Sequence, residues 1–110
     1  MADIIISMEF IETPTFSRMV TDLLSDDDYG EMQNELLEDP ERGILIKGGG
    51  GLRKLRYAMQ GRGKRGGVRV IYYWVKNYDL IYMLVVYPKS KKDALTDKET
   101  AILREFVKEL

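Results

Sequence analysis

The sequence contains neither cysteine nor histidine. Without thiols the chain can form no disulfide and perform no thiol catalysis. Without imidazole or thiolate it lacks the usual ligands of zinc and other transition metals, so any metal would be a hard cation held by carboxylates. We therefore expect no metal and no other cofactor, and any catalysis must use lysine, arginine, tyrosine, carboxylates or hydroxyls.

Long hydrophobic runs are also absent. Apolar runs such as those at residues 4–6 and 81–87 fall far short of the roughly 20 apolar residues that a membrane-spanning helix needs. The N-terminus lacks the basic segment and cleavage pattern of a secretory signal. A length of 110 residues, with 45% hydrophobic and 32% charged residues, is typical of one folded domain. We expect a single cytoplasmic domain over residues 1–110, with no membrane partner.

The net charge of −1 hides a strong segregation of charge along the chain. Residues 1–43 hold 12 acidic and 2 basic residues, a balance of −10. Residues 44–92 hold 1 acid, Asp79, against 12 basic residues, a balance of +11, and residues 93–110 hold 5 against 3, a balance of −2. The middle segment creates a strong positive field, which predicts a polyanionic partner.

The first half of the sequence predicts a strand followed by a helical hairpin. A strand over residues 4–11 ends before Pro14, and Thr13 is placed to cap the helix that begins there. Ser25 with Asp28 marks the start of a second helix, which ends at residues 39–40. The inward-facing stripes at helical spacing are Phe16, Met19, Val20, Leu23 and Leu24, and then Tyr29, Met32, Leu36 and Leu37.

The second half predicts three strands and a closing helix. Strands over residues 52–57 and 68–75 flank a loop of glycines and cations at residues 60–67, and the apolar run at residues 80–87 is typical of a central strand. Thr96 and Glu99 form a capping box for the last helix, whose predicted inward stripe is Ile102, Leu103, Phe106, Val107 and Leu110. The order β-α-α-β-β-β-α describes an α+β domain with a largely antiparallel sheet.

Cations are spaced along these strands so that several share a face. Lys54 and Arg56 project from one side of their strand, Arg69 and Tyr73 share a side of the next, and Lys89 follows the central strand. Arginine pairs two-pronged with phosphate and lysine is a compact cation, so such a surface suits an RNA backbone. The loop cations expected to overhang it are Arg62, Lys64 and Arg65.

Each of these residues also has a simpler interpretation. The cations can be solvated charges on an ordinary sheet face. Tyr72, Tyr73 and Trp74 fit strand packing at least as well as base stacking, because strand interiors favour aromatic residues.

The motifs occur in a definite order. Residues 52–56 (Leu-Arg-Lys-Leu-Arg) lead into the glycine-rich basic loop, then residues 67–73 (Gly-Val-Arg-Val-Ile-Tyr-Tyr) and residues 87–89 (Tyr-Pro-Lys). This set resembles the core of RelE/HigB-type toxins of bacterial type II toxin–antitoxin systems, and the helical hairpin and closing helix fit the same fold. Because that family begins with a short strand directly after its initiator, the resemblance suggests Met8 as a native start, with residues 1–7 as an extension; Met1 stays the alternative.

The resemblance implies cleavage of messenger RNA in the ribosomal decoding site, in which the substrate's own 2′-hydroxyl attacks the adjacent phosphate without a metal. It implies that Lys54 is the base and that Arg69, assisted by Arg56, stabilises charge on the phosphate. Lys89 would position the backbone or protonate the leaving oxygen. The remaining predicted RNA contacts are Arg53, Arg62, Lys64, Arg65, Tyr73, Lys91 and Lys92.

The sequence departs from the RelE pattern in one respect. Such toxins often carry a tyrosine or histidine near the C-terminus, whereas the only aromatic residue after Tyr87 here is Phe106, which we assign to the core. The identity of the general acid therefore stays open, with Lys91 and Lys92 as alternatives to Lys89.

The expected partners are the ribosome with its messenger RNA and, from the HigB resemblance, a helix-turn-helix antitoxin. The sequence is also compatible with two other functions. The same fold serves ParE-type toxins, which poison DNA gyrase, and a basic sheet can bind RNA without cutting it.

Overall fold

The computed structural model describes residues 8–59 and 67–110, and it confirms the α+β fold class. The strands are β1 (Glu9–Glu12), β2 (Ile44–Leu45), β3 (Arg53–Ala58), β4 (Gly67–Val75) and β5 (Leu80–Pro88), and the helices are α1 (Pro14–Leu23), α2 (Asp26–Glu38) and α3 (Asp97–Val107). The short β2 is an addition to the predicted order. Residues 1–7 and the predicted loop cations Arg62, Lys64 and Arg65 lie outside the described residues.

The five strands form one mixed sheet in the order β1-β5-β4-β3-β2. β1 runs parallel to β5, and the other three pairings are antiparallel. The run at residues 80–87 therefore lies between two strands, as its apolar character predicts. None of the helices in the described ranges is both long and apolar enough to cross a membrane.

The predicted helix starts are confirmed. Thr13 Oγ1 accepts a hydrogen bond from the Phe16 amide at 3.0 Å, and Ser25 Oγ accepts one from the Asp28 amide at 3.1 Å. At the start of α3, the Thr96 hydroxyl accepts a hydrogen bond from the Glu99 amide, and the Glu99 carboxylate accepts one from the Thr96 amide. These bonds satisfy amides that a helix start otherwise leaves without partners.

The sheet buries a core on each face. One core lies under α1 and α2, where Phe16, Met32 and Leu36 pack on Val70 and Tyr72 of β4. The other lies under α3 and contains Leu52, Ile71, Leu84, Tyr87 and Val107. Successive residues of β4 thus point to opposite cores. We call the side of the sheet that packs against α3 the α3 face.

A β-bulge interrupts the pairing of β4 with β5. Ile71 pairs with Val85 while Tyr72 pairs with Met83, so Leu84 is an extra residue in β5. A bulge leaves backbone groups out of the ladder, and here the Leu84 carbonyl accepts a hydrogen bond of 2.7 Å from the Thr13 hydroxyl. The cap of α1 therefore also satisfies the bulge.

The bulge reverses the alternation of β5. Before it, Ile81 and Met83 face the core under α1 and α2, and after it Val86 takes that side. Tyr87 consequently lies on the α3 face, directly opposite Arg69. An uninterrupted strand would point Tyr87 to the other side of the sheet.

The predicted inward stripe of α3 is only partly right. Leu103 and Val107 do pack on the α3 face, but Ile102, Phe106 and Leu110 are 60%, 42% and 43% exposed, so their assignment to the core was wrong. The helix contacts the sheet along a narrow strip of its surface. Its apolar stripe is wider than that strip. Leu37 of α2, predicted to face inward, is likewise exposed.

The segment between α2 and β2 is held against the sheet by hydrogen bonds to two side chains of the strands. The buried Tyr72 hydroxyl donates to the Pro40 carbonyl at 2.6 Å and accepts from the Gly43 amide at 2.9 Å. Arg53 Nη1 donates to the carbonyls of Glu41 and Gly43, at 3.1 and 2.8 Å. A Cβ on Gly43 would lie 2.7 Å from the Tyr72 ring, so only glycine fits there.

We expect Tyr72→Phe to lower the free energy of unfolding by about 1–3 kcal/mol, because it leaves a buried amide and a carbonyl without their partner. Urea denaturation measures this change. The matched control is Tyr78→Phe, since Tyr78 is 74% exposed and its change should stay within about 0.5 kcal/mol. Equal effects of the two substitutions would contradict the anchoring role of Tyr72.

Candidate active site

Two strands and the residue that follows a third bring cations to the α3 face. Lys54 and Arg56 lie two residues apart on β3 and therefore share a side. Arg56 pairs directly with Arg69 of β4, which in turn pairs with Tyr87 of β5. Cross-strand partners lie about 4.5–5.5 Å apart at their Cβ atoms, so the side chains of these residues form one continuous surface.

Lys89 reaches the same surface from the end of β5. Its amide donates to the Gly67 carbonyl at 3.0 Å. A Cβ built on Gly67 would lie 3.5 Å from Lys89 Cδ and 3.9 Å from Arg69 Nη1. Gly67 and Arg69 point to the same side of β4, so the Lys89 side chain leans over the α3 face beside the Arg69 guanidinium. We call Lys54, Arg56, Arg69 and Lys89 the cation cluster.

Asp93 lies at the centre of this cluster. Its carboxylate is 3.0 Å from Arg69 Nη2, 3.6 Å from Arg56 Nη2 and 3.9 Å from Lys54 Nζ. Arg69 Nε also donates to the carboxylate at 3.0 Å, and Lys54 Nζ donates to the Asp93 backbone carbonyl at 3.0 Å. One acidic residue is thus bound by three cations.

Burial differs sharply among these side chains. The Arg69 side chain is 10% exposed and that of Lys54 15%, whereas those of Arg56 and Asp93 are 56% and 60% exposed. A buried cation needs a hydrogen-bonded partner, which Asp93 provides for Arg69. The hydrogen bond from Arg69, with the positive charges of Lys54 and Arg56, lowers the pKa of the Asp93 carboxyl below its usual 3.8.

Tyr87 forms part of the floor of the site. Its hydroxyl donates to the Asp93 carbonyl across a long 3.5 Å, and Lys92 Nζ lies 5.1 Å from the centre of its ring. Burial and the nearby Asp93 carboxylate raise the pKa of the Tyr87 hydroxyl. The tyrosine therefore stays protonated at neutral pH and is available as a hydrogen-bond donor.

Several predicted RNA contacts lie away from the cluster. Arg53 points to the opposite side of β3 and is bound by backbone carbonyls. Tyr73 is on the α3 face, but it packs against Gly51, where a Cβ would lie 2.8 Å from its ring. Lys92 pairs with Glu99 at 2.6 Å, and Lys91 is exposed in the turn after β5. The RNA contacts of these residues stay predictions, as do those of the loop cations.

Sequence reasoning missed two members of the site, Asp93 and Tyr87. The bulge at Leu84 hides the side on which Tyr87 lies, and nothing in the residue pattern marks a bulge there. Asp93 does leave a signal, since it is the first acid after a run of lysines. No rule of spacing, however, places a loop carboxylate against strand residues far away in the chain.

A groove of about 290 Å³ adjoins the cluster. Its walls come from β2, from Lys54 and Arg56, and from Ala94 and Leu95. Ile44 at its rim is 63% exposed. Lys47 also lines the groove, which thus offers apolar surface beside three cations. This combination suits a nucleotide with its base on the apolar wall and its phosphate on the cations.

The arrangement is suited to binding an anion with several oxygens. Guanidinium groups donate in fixed planes to phosphate, and the lysines add compact charge. Over residues 8–59 and 67–110, no three acidic side chains gather closely enough to hold a metal ion.

Comparison with known families matches residues 11–110 to the model for the RelE toxin of the RelE/RelB toxin–antitoxin system. The chain belongs to the RelE toxin family. Its fold is similar to that of a chain in the crystal structure of the intact Escherichia coli RelBE toxin–antitoxin complex, with a TM-score of 0.56. The match covers 74% of this chain and 96% of that chain at 15% sequence identity, so it supports the RelE fold rather than the roles of particular residues.

The lowered pKa of Asp93 makes a prediction about this RelE-family chain. A carboxyl group whose pKa is lowered by folding stabilises the protein at a pH above its unfolded-state pKa. This stabilisation is lost as the pH falls through its folded-state pKa. We expect Asp93→Asn to destabilise the protein at neutral pH and to make progressively less difference as the pH falls below 3.8. Denaturation of both proteins across this range measures the difference. A constant or widening difference would contradict the ion pairing.

Proposed function

We propose that this RelE-family toxin is an endoribonuclease that cuts messenger RNA on the ribosome and thereby inhibits translation. The observation that carries the proposal is the convergence of three cations on one carboxylate. A carboxylate resembles a phosphodiester in presenting two acceptor oxygens and one negative charge. The Asp93 oxygens therefore stand where a substrate phosphate would be bound.

The reaction needs no group beyond the side chains and the RNA. The 2′-hydroxyl attacks the adjacent phosphorus, the bond to the 5′-oxygen of the next nucleotide breaks, and a cyclic phosphate forms. One proton must leave the 2′-oxygen and one must reach the departing 5′-oxygen. Metal-independent cleavage of this kind requires a base, an acid and a stabiliser of negative charge.

Lys54 is the proposed base. It lies beside Arg69 at the cluster, and little of its side chain is exposed. Its Nζ donates to the Asp93 carbonyl in this structure, so that contact must open before the amine takes a proton from the 2′-hydroxyl.

Arg69 is the proposed stabiliser of charge, because a guanidinium cannot act as a base at any ordinary pH. Its burial fixes its position. A donor that is already in position costs little free energy of reorganisation during the reaction. Arg56, which is more exposed, adds a second guanidinium from the neighbouring strand. Lys89 leans over the same surface and is the proposed acid for the 5′-oxygen.

The proposed partners are the ribosome carrying messenger RNA and a cognate helix-turn-helix antitoxin. The antitoxin follows from the toxin–antitoxin system that gives the matching family its description and from the resemblance to HigB. Because the proposed substrate is messenger RNA on translating ribosomes, we place the activity in the cytoplasm.

We expect Lys54→Ala to lower ribosome-dependent cleavage by about 10²–10⁴-fold, the usual contribution of a positioned base, and Arg69→Ala by at least about 10²–10³-fold, as for loss of a charge-stabilising donor. Cleavage of a message in a translation extract measures both. Matched controls are Lys98→Ala and Arg42→Ala, which remove exposed cations outside the cluster.

Wild-type cleavage by folded Lys54→Ala protein would contradict the assignment of the base. The same assay separates the other functions of this fold. Inhibited supercoiling by gyrase with intact message would indicate a ParE-like activity. Salt-sensitive retention of RNA without cutting would indicate a binding domain only.

A further inference from the structure

Asp93 engages the site with more than its carboxylate. The carboxylate binds Arg69, Arg56 and Lys54, while the backbone carbonyl accepts from Lys54 Nζ and from the Tyr87 hydroxyl. Four groups that could hold a substrate are therefore occupied by one residue of the protein itself. Any phosphate that binds these four groups must first displace Asp93.

The contacts are of a kind that a substrate can displace. Asp93 lies on the connector between β5 and α3, its carboxylate is 60% exposed, and two of its ion pairs are 3.6 and 3.9 Å long. Exposed ion pairs of this sort are individually weak. The connector is also held independently of Asp93, by the hydrogen bond from the Lys91 amide to the Pro88 carbonyl and by the pair of Lys92 with Glu99.

We propose that Asp93 is a specificity-determining residue that competes with the substrate phosphate for the cation cluster. Single phosphates and loosely bound RNA gain few contacts in exchange, so they displace it only at high concentration. A substrate that makes additional contacts elsewhere displaces it and then contacts four side chains together, those of Lys54, Arg56, Arg69 and Tyr87. Rejection of the wrong ligand by a repulsive or competing charge is a general device of selective binding. The competition for RNA rests on the proposed function, but the competition for a simple anion does not.

The test compares wild-type protein with Asp93→Asn in binding inorganic phosphate and a short RNA made uncleavable by 2′-O-methylation. Asparagine keeps the size of the side chain and removes its charge. We expect both probes to bind on the order of three- to tenfold more tightly to the variant, since it removes several weak ion pairs at once. Asp97→Asn is the matched control, because it removes the same charge from an exposed residue four positions along the chain that has no ion pair among the described residues.

Unchanged or weaker binding of both probes to Asp93→Asn would overturn the proposal. In that case, a fall in the cleavage rate constant without a change in KM would assign Asp93 a positioning role for Arg69. Tighter binding of phosphate with no cleavage by the wild-type protein would support the competition and contradict the proposed nuclease. The two proposals therefore fail separately.

A second measurement uses only the wild-type protein, in case the variant does not fold. Phosphate is titrated while the NMR signals of the Asp93 carboxyl carbon and of Arg69 Nε are followed. We expect both signals to shift with one shared dissociation constant, because phosphate replaces the carboxylate on the guanidinium. Phosphate binding that leaves the Asp93 signal in place would overturn the proposal.

Discussion

The contact between Arg69 and Asp93 organises this site. A guanidinium that is only 10% exposed on its side chain cannot stay in a sheet interior without a charged or hydrogen-bonded partner. Asp93, on the connector between β5 and α3, provides that partner. Its backbone carbonyl then meets Lys54 and Tyr87. The most buried cation therefore fixes Asp93, and Asp93 links the groups that the pairing of β3, β4 and β5 brings together.

The fold supports this contact from both sides of the sheet. The core under α1 and α2 fixes the strands, and the hydroxyl of Thr13 holds the bulge at Leu84. The bulge in turn places Tyr87 opposite Arg69. Shared RelE architecture does not by itself define a reaction, since one fold hosts several activities. We propose RNA cleavage instead because three cations from β3 and β4 meet around two acceptor oxygens.

Much of this arrangement could be predicted from the sequence, because strand alternation places Lys54 with Arg56, and hairpin pairing brings Arg69 opposite them. Helix caps were equally readable, since they depend on residues three positions apart. The position of Asp93 could not be predicted, because it depends on a long-range ion pair with a loop. Phe106 was misassigned because an apolar stripe shows which side of a helix can be buried, and not how much of it the sheet covers.

We expect the site to bind phosphate where it now binds its own carboxylate. The most direct measurement is a crystal structure with an RNA whose scissile 2′-hydroxyl is methylated. We predict a phosphate within hydrogen-bond distance of Arg69 and Lys54, with the Asp93 carboxylate displaced from both. An RNA bound elsewhere on the protein, with Asp93 still paired to Arg69, would show that the cation cluster is not the phosphate site.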